Sequence, residues 1–519
     1  MSETYEKWSP PEGFKWIYGS LLMSMLLGAL DQTIISTALP TMVGELNGMS
    51  YMAWVITSYI LASTISMPLY GKLGDLMGRR TMMLSALSIF LLGSTLGGFS
   101  QNIGQLIAFR GLQGLGGGGL MVLTQATLAD LVPIRERSKY MAPIGMMFAI
   151  ASITGPLIGG YLTDFVSWRW TFWINLPIGL TVITIVWKSL KLSKPDKAFT
   201  LDIAGTISMV LAVCFLTLFF SWGGTTFAWV SPQIFGLGLL TVISSALFLY
   251  AESRAKDPII PISLFHNSTF NIATLLGLFV GIGMFASIAF MPTYFQMVYG
   301  YSAITSGYLM IPMMLGIIFT INLTGQLAAK SGYYKKYPLI GLTICALTLF
   351  LFSTLEIGQP VAIVCLYIFM MGTGVGCIFQ ILILAVQNSV PFGEVGTAIS
   401  ANAFFREIGA TMGIAIVGSL FSTRLTSMLT ERLPSDLVLP IDDIESITPG
   451  ILRAMPETMQ DIFINTYADA LTPIFLYIAP VFIAVIILGT FLPNNKLEQK
   501  KPGMMKPQNP EEQIDTPAV

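Results

Sequence analysis

Residues 30–40 read LDQTIISTALP, and they close a run of apolar residues that begins at Trp16. The run carries a carboxylate, Asp31, inside an otherwise apolar segment of membrane length. A charge at that depth costs about 3 kcal/mol on insertion scales. Chains do not usually carry that cost without a use for it, so Asp31 is read first as a functional acid.

The rest of the chain fits a lipid solvent. It has 519 residues, 54% of them hydrophobic and 11% charged, with mean hydropathy +0.72. A soluble protein of this length carries about 25% charged residues. The net charge of −1 leaves no basic patch dense enough for a nucleic acid. Cys214, Cys345, Cys365 and Cys377 all lie in apolar runs without CxxC spacing, and read as packing residues. His266, in LFHNSTF, is expected at the membrane interface rather than on a metal. The first 15 residues lack a signal-peptide pattern, so the first apolar run is expected to be retained.

Segments of about 20 apolar residues, enough to cross about 30 Å of hydrocarbon, fall near 16–39, 51–70, 81–99, 104–128, 139–161, 171–188 and 203–220, and again near 232–250, 270–291, 303–322, 338–355, 360–383, 398–421 and 472–492. That predicts fourteen transmembrane helices. No alternation of a membrane β-barrel is present. With the N-terminus inside, 21 of the 27 Lys and Arg residues fall in cytoplasmic segments. External segments hold Arg169, Arg424, Arg432 and Arg453, while Arg110 and Arg406 lie within helices. The positive-inside rule therefore predicts two cytoplasmic termini.

GKLGDLMGRR (71–80) is echoed by GQLAAKSGYYKK (325–336): glycine first, leucine third, glycine eighth, then a basic pair. Ala329 stands where the first copy has Asp75. The echo predicts two related six-helix halves, with two inserted helices between them, as in transporters built from parallel repeats. Expected boundaries are a cytoplasmic N-terminus 1–15, a first bundle 16–190, the insert 200–252, a second bundle 268–492 and a disordered cytoplasmic tail 493–519. Residues 424–470 are expected to form a long external loop with eight acidic and three basic residues. ILRAMPETMQDIFINTYADAL within it reads either as a surface-lying amphipathic helix or as a solvated linker.

These motifs together resemble the fourteen-helix drug:proton antiporters of the major facilitator superfamily. The match rests on LDQTIISTALP, GKLGDLMGRR, RGLQGLGGGG (110–119), GPLIGG (155–160) and WRWTFWINLPIGL (168–180). It covers the first half well and the second half thinly. The resemblance implies an all-α integral membrane protein of the major facilitator fold and no enzyme activity. It also implies that Gly71, Asp75, Gly78, Arg79 and Arg80 form a cytoplasmic gate; a simple topology anchor is the alternative. Gly155, Pro156, Gly159 and Gly160 resemble the stretch that marks exporters, although small residues on one face would also serve packing alone.

Depth counting supplies a partner for Asp31. Arg110 lies about 9 Å and Asp31 about 13 Å from the outer end of their helices at 1.5 Å per residue. Opposite charges at one level of a bundle pair, either structurally or for proton coupling. Desolvation and a nearby arginine act on the proton affinity of Asp31 in opposite directions. Glu407, near mid-membrane, is a second candidate for proton coupling, with a local contact near a helix end as the alternative. Arg406 is its neighbour, but adjacent helical residues point about 100° apart and are not expected to share a cavity wall. Tyr294 and Phe295, with Arg406, are candidates for a substrate cavity; packing is the alternative.

The reading is a proton-driven exporter of amphipathic, cationic compounds, working as a monomer in the plasma membrane without a cofactor or metal. A lipid or fatty-acid exporter, or one specific for tetracycline-like molecules, is the rival on the same scaffold. There is no GxxxxGK[ST] loop for ATP. A membrane enzyme is disfavoured by the lack of a catalytic cluster, and a channel by the lack of a charged pore ring.

Overall fold

The computed structural model describes Pro10 and residues 13–48, 51–190, 200, 202–224, 226–432, 452–453 and 455–497. Fourteen long helices account for nearly all of them: α1 (Phe14–Glu45), α2 (Met52–Met77), α3 (Arg79–Gly98), α4 (Ile103–Leu131), α5 (Ile134–Phe165), α6 (Trp170–Ser189), α7 (Ile203–Trp222), α8 (Pro232–Arg254), α9 (Ser268–Met297), α10 (Thr305–Ser331), α11 (Lys336–Ser353), α12 (Val361–Ser389), α13 (Val395–Arg432) and α14 (Glu457–Thr490). Thirteen are long and apolar enough to cross a membrane. The other, α2, has 26 residues and packs along α4 from Tyr59 to Tyr70.

Helices α1–α6 pack chiefly on one another, as do α9–α14. The halves meet along α2 with α13 and along α5 with α10. The inserted pair α7–α8 lies at the margin, touching α2 and α13. The turn between the pair is fixed by Trp229, whose Nε1 donates to Ser419 Oγ at 2.6 Å. At the other end of the pair, buried Glu252 accepts from the main-chain N–H groups of Ile259 and Ile260 at 3.1 and 3.2 Å. The same end of the molecule carries the joints α2–α3, α4–α5, α10–α11 and α12–α13, and is called the basic end below.

A second echo makes the halves concrete. In α4, Gly114 and Gly118 meet α2 while Gly116 between them meets α3. In α12, Gly372 and Gly376 meet α10 while Gly374 meets α11. A methyl group added at Gly114 would lie 2.4 Å from the Tyr59 carbonyl oxygen, and at Gly372 2.0 Å from that of Met313. Neither backbone can be approached this closely by a larger residue.

Helix ends differ from the apolar spans. α1 continues through Pro40 to Glu45, because an internal proline removes one hydrogen bond and a packed helix tolerates that loss. The expected loop 424–470 is helical at both ends: α13 runs to Arg432 and α14 begins at Glu457. The amphipathic stretch neither lies on the surface as a separate helix nor solvates as a linker. Met459, Phe463, Tyr467 and Leu471 bury its apolar face in the second half, and Arg432 pairs with Asp469 at 2.8 Å. Apolarity marks hydrocarbon thickness, whereas a helix continues as far as its side chains find contacts. Residues 433–451, the tail beyond 497 and positions 1–9, to which expectations were also attached, lie outside the described residues.

Candidate functional site

Asp31 is wholly buried, and three donors converge on it from two other helices. Arg110 Nη1, on α4, donates to Oδ2 at 2.6 Å. Gln113 Nε2, one turn along the same face, donates to Oδ1 at 2.7 Å. Asn175 Nδ2, on α6, reaches Oδ1 at 3.0 Å. The arrangement has an outer layer. Gln113 Oε1 accepts from Arg110 at 2.7 Å, and Asn175 also donates to Ser94 Oγ at 2.9 Å. The Arg110 guanidinium lies 4.3 Å over the Tyr59 ring. Arg110 Nε and Asn175 Oδ1 are buried without a partner.

The stretch WRWTFWIN builds one wall of this centre. Trp168 Nε1 and Arg169 Nη1 donate to the Glu45 carboxylate at 2.5 and 2.7 Å, fixing the end of α1. The helix is interrupted at Ile174, between Trp173 and Asn175. Phe172 offers its carbonyl to Ser94 Oγ at 2.7 Å, and Asn175 then faces Asp31. The depth argument thus found Asp31 and Arg110. It missed Gln113, Asn175 and Ser94, because neutral polar residues in an apolar helix give no signal comparable to a charge.

The 71–80 stretch ties the two halves at the basic end. Gly78, at φ +92°, lets α2 turn into α3 without a loop. Asp75 takes the main-chain N–H and hydroxyl of Thr397 on Oδ2 at 2.6 and 2.7 Å, and the N–H of Gly396 on Oδ1 at 3.2 Å. It therefore caps the N-terminus of α13, where the helix dipole favours an anion. Arg79 bonds Asp75 and also Asp130 Oδ2, the latter at 2.8 Å. Gly71 lies against Ser400 and the Gly396 carbonyl, leaving no room for a side chain. Arg80 does not join this cluster. Its guanidinium turns to the Trp187 carbonyl at 2.6 Å, because successive helical residues leave the axis about 100° apart. Nearby, Arg137 on α5 makes a second cross-half bond, to Gln387 Oε1 on α12 at 2.8 Å.

Gly155 and Gly159 pack α5 directly on α1, against Thr33 and Ile34. Thr33 Oγ1 donates to the Ala151 carbonyl at 2.8 Å, so the glycine face registers against a residue two positions from Asp31. Pro156 is half-buried, and Gly160 has open space around it. In the second half Gly409 and Gly413 repeat the arrangement, packing α13 on Leu278 and Ile282 of α9.

Arg406 and Glu407 meet through their side chains: Arg406 Nη2 donates to Glu407 Oε1 at 3.4 Å. The long arginine side chain bends back while stacking 4.3 Å over Phe379. Glu407 lies twelve residues into α13, well away from a helix end. One turn before it, Ala403 packs on Met67 and Val122 of the first half, so this stretch of α13 borders the seam between halves. Tyr294 and Phe295 are both fully buried in the second-half core, where Tyr294 and Tyr299 meet edge to face. Their apolar rings satisfy burial in a helix interface as readily as in a cargo site. His266 is exposed at the end of a short 3₁₀ turn, Ile262–His266.

Comparison with known proteins bears on the fold and the family. Multidrug transporter protein MdtP of Bacillus subtilis is 40% identical over 413 residues, covering 80% of this chain and 76% of that protein. Multidrug resistance protein 3 of the same organism is 33% identical over 486 residues, covering 91% and 94%. An uncharacterized transporter of Mycobacterium tuberculosis is 37% identical, covering 92% of this chain and 69% of its own. Among solved structures, the human organic anion transporter MFSD10 superposes with TM-score 0.64 at 14% identity, over 92% of this chain and all of that one. The proton:xylose symporter XylE gives 0.59 at 13% identity, over 93% and 97%. Two six-helix halves, a capped α13 and a profile match over residues 21–414 make this chain a member of the Major Facilitator Superfamily, a transporter and not an enzyme.

Proposed function

We propose that the protein is a drug:proton antiporter that exports amphipathic, cationic compounds across the plasma membrane. One observation carries the proton coupling: a fully buried carboxylate, Asp31, held by three donors from two other helices. Ionised, Asp31 offers only acceptors, and all three donors are satisfied. A proton on Oδ2 replaces an acceptor by a donor and expels Arg110 Nη1 from that oxygen. Arg110 then keeps only Gln113 Oε1 and the Tyr59 ring face, and its guanidinium shifts away from Oδ2. Protonation thereby moves α4 relative to α1, which is the displacement an alternating-access cycle needs.

The direction of transport rests on three supports. The basic end is the cytoplasmic end by its lysine and arginine content. The Gly155–Gly159 face registers α5 on the helix of Asp31, in the stretch that resembles exporters. The relatives named as multidrug transporters cover most of the chain. Asp75 and Arg137 both bond across the halves at the basic end, which fits a state closed to the cytoplasm. In the cycle, a proton enters from outside to Asp31 and the halves rock. Asp75 then leaves α13, and a cytoplasmic cation takes the place of the released proton. Glu407, at the seam, is the second acid positioned to meet that cation.

The test uses everted vesicles with an internal pH indicator. Adding a cationic drug should release protons from energised vesicles carrying the native chain, and Asp31→Asn should abolish the release while the protein remains folded. Full drug-dependent proton release by Asp31→Asn would overturn the reading. A response to fatty acids but to no cationic drug would move the cargo to the lipid class.

A further inference from the structure

Arg79 and Arg80 are adjacent, yet their surroundings differ. Arg79 is neutralised by two carboxylates, Asp75 and Asp130. Arg80 has no carboxylate within ion-pair distance among the described residues. One of its nitrogens donates to the Trp187 carbonyl, and its Nε is buried without a partner. It stands at the head of an open groove of about 570 Å3 between α3 and α6. Down the same face of α3 follow Thr81, Ser85 and Ser88. None of these three hydroxyls has a hydrogen-bond partner among the described residues, whereas Thr95 on the same helix donates to the Leu91 carbonyl at 2.7 Å. The opposite wall is Trp187, with 58% of its surface exposed.

We propose that this groove binds an anionic phospholipid of the leaflet at the basic end, with its phosphodiester on Arg80. The spacing suits that ligand. From Arg80 to Ser88 is about 12 Å along the helix, the distance from a headgroup through the glycerol esters into the acyl region. The guanidinium supplies charge-assisted donors to the phosphate oxygens. Thr81 and Ser85 then face the ester carbonyls, which accept hydrogen bonds and donate none. Leu84, Ile89 and the Trp187 ring carry the upper acyl chain, the indole sitting where interfacial tryptophans concentrate. The groove holds one cation and no acid, so it has no carboxylate to pair with the ammonium of a zwitterionic headgroup. Anionic headgroups are therefore preferred. The site is separate from Asp31 and does not depend on the direction or cargo of transport.

The full chain, reconstituted in phosphatidylcholine, would be titrated with phosphatidylglycerol brominated on its acyl chains while tryptophan fluorescence is read. A saturable quenching component at low mole fraction is expected, and Trp187→Phe should remove it, assigning it to the groove. Arg80→Gln should shift its midpoint to about five- to tenfold higher mole fraction. Brominated phosphatidylcholine should quench without saturation, and inorganic phosphate should not displace the lipid. Ser88→Phe, on an exposed face of α3, fills the acyl end of the groove and should also remove the component. An unchanged midpoint in Arg80→Gln, a component that survives Ser88→Phe, or equal saturation by phosphatidylcholine would each overturn the proposal.

Discussion

At the scale of single residues, Asp31 and Arg110 form a buried pair in which removing one member strands the other. Breaking a buried ion pair from one side leaves the other charge without compensation and costs about 3–5 kcal/mol. Arg110→Gln should therefore lower the melting temperature of the purified protein strongly, since Gln113 and Asn175 supply no positive charge. Adding Asp31→Asn to that variant removes the stranded charge and should recover most of the loss without restoring transport. Melting curves in detergent with parallel vesicle assays separate the two effects; a double variant no more stable than Arg110→Gln would show that the pair is not electrostatically coupled. The charges were legible in the sequence because each pays visibly for its depth. Tyr294 and Phe295 gave no such signal, because an aromatic ring in an apolar helix reads the same whether it faces cargo or core; both are buried here.

At the scale of helices, the close contact of α5 with α1 gives a sharp comparison between two neighbouring glycines. A methyl group at position 159 would sit 2.5 Å from the Ile34 carbonyl oxygen, which belongs to rigid helix backbone. A methyl group at position 160 would meet nothing within 4 Å. Gly159→Ala must push the helices apart, and overpacking of this kind costs about 1–3 kcal/mol or more. It should reduce both folded yield and drug resistance in cells, whereas Gly160→Ala should leave both near those of the native chain. Equal behaviour of the two would mean that α5 does not approach α1 as described. Helix positions were readable from apolar length, but helix ends were not. The turns of α14 from Glu457 to Leu471 are too polar to score as membrane, yet they are held by Arg424 and Arg432 of α13 and by buried rings.

At the scale of the whole molecule, the repeat was visible in the 71–80 echo, while the stronger one was hidden in plain composition. Gly116 and Gly118 stand within the run of four glycines at 116–119, which masks their spacing with Gly114, and only the packing partners single the three out beside Gly372, Gly374 and Gly376. The repeat is structural rather than chemical: among the described residues, a buried carboxylate with three converging donors belongs to the first half alone. In the proposed cycle the halves move as bodies and transmit a change at Asp31 to the seam. The seam at the basic end is closed by Asp75 on α13 and by Arg137 on Gln387. If those contacts open in every cycle, tying them shut must stop transport. In a background lacking Cys214, Cys345, Cys365 and Cys377, the pair Arg137→Cys and Gln387→Cys should link with a short, reducible thiol cross-linker. Linked protein should show no drug-dependent proton release, each single cysteine should behave as the background does under the same reagent, and reduction should restore activity. Transport that persists in fully linked protein would place the moving seam elsewhere, because two bodies joined at that end cannot part there to admit cargo.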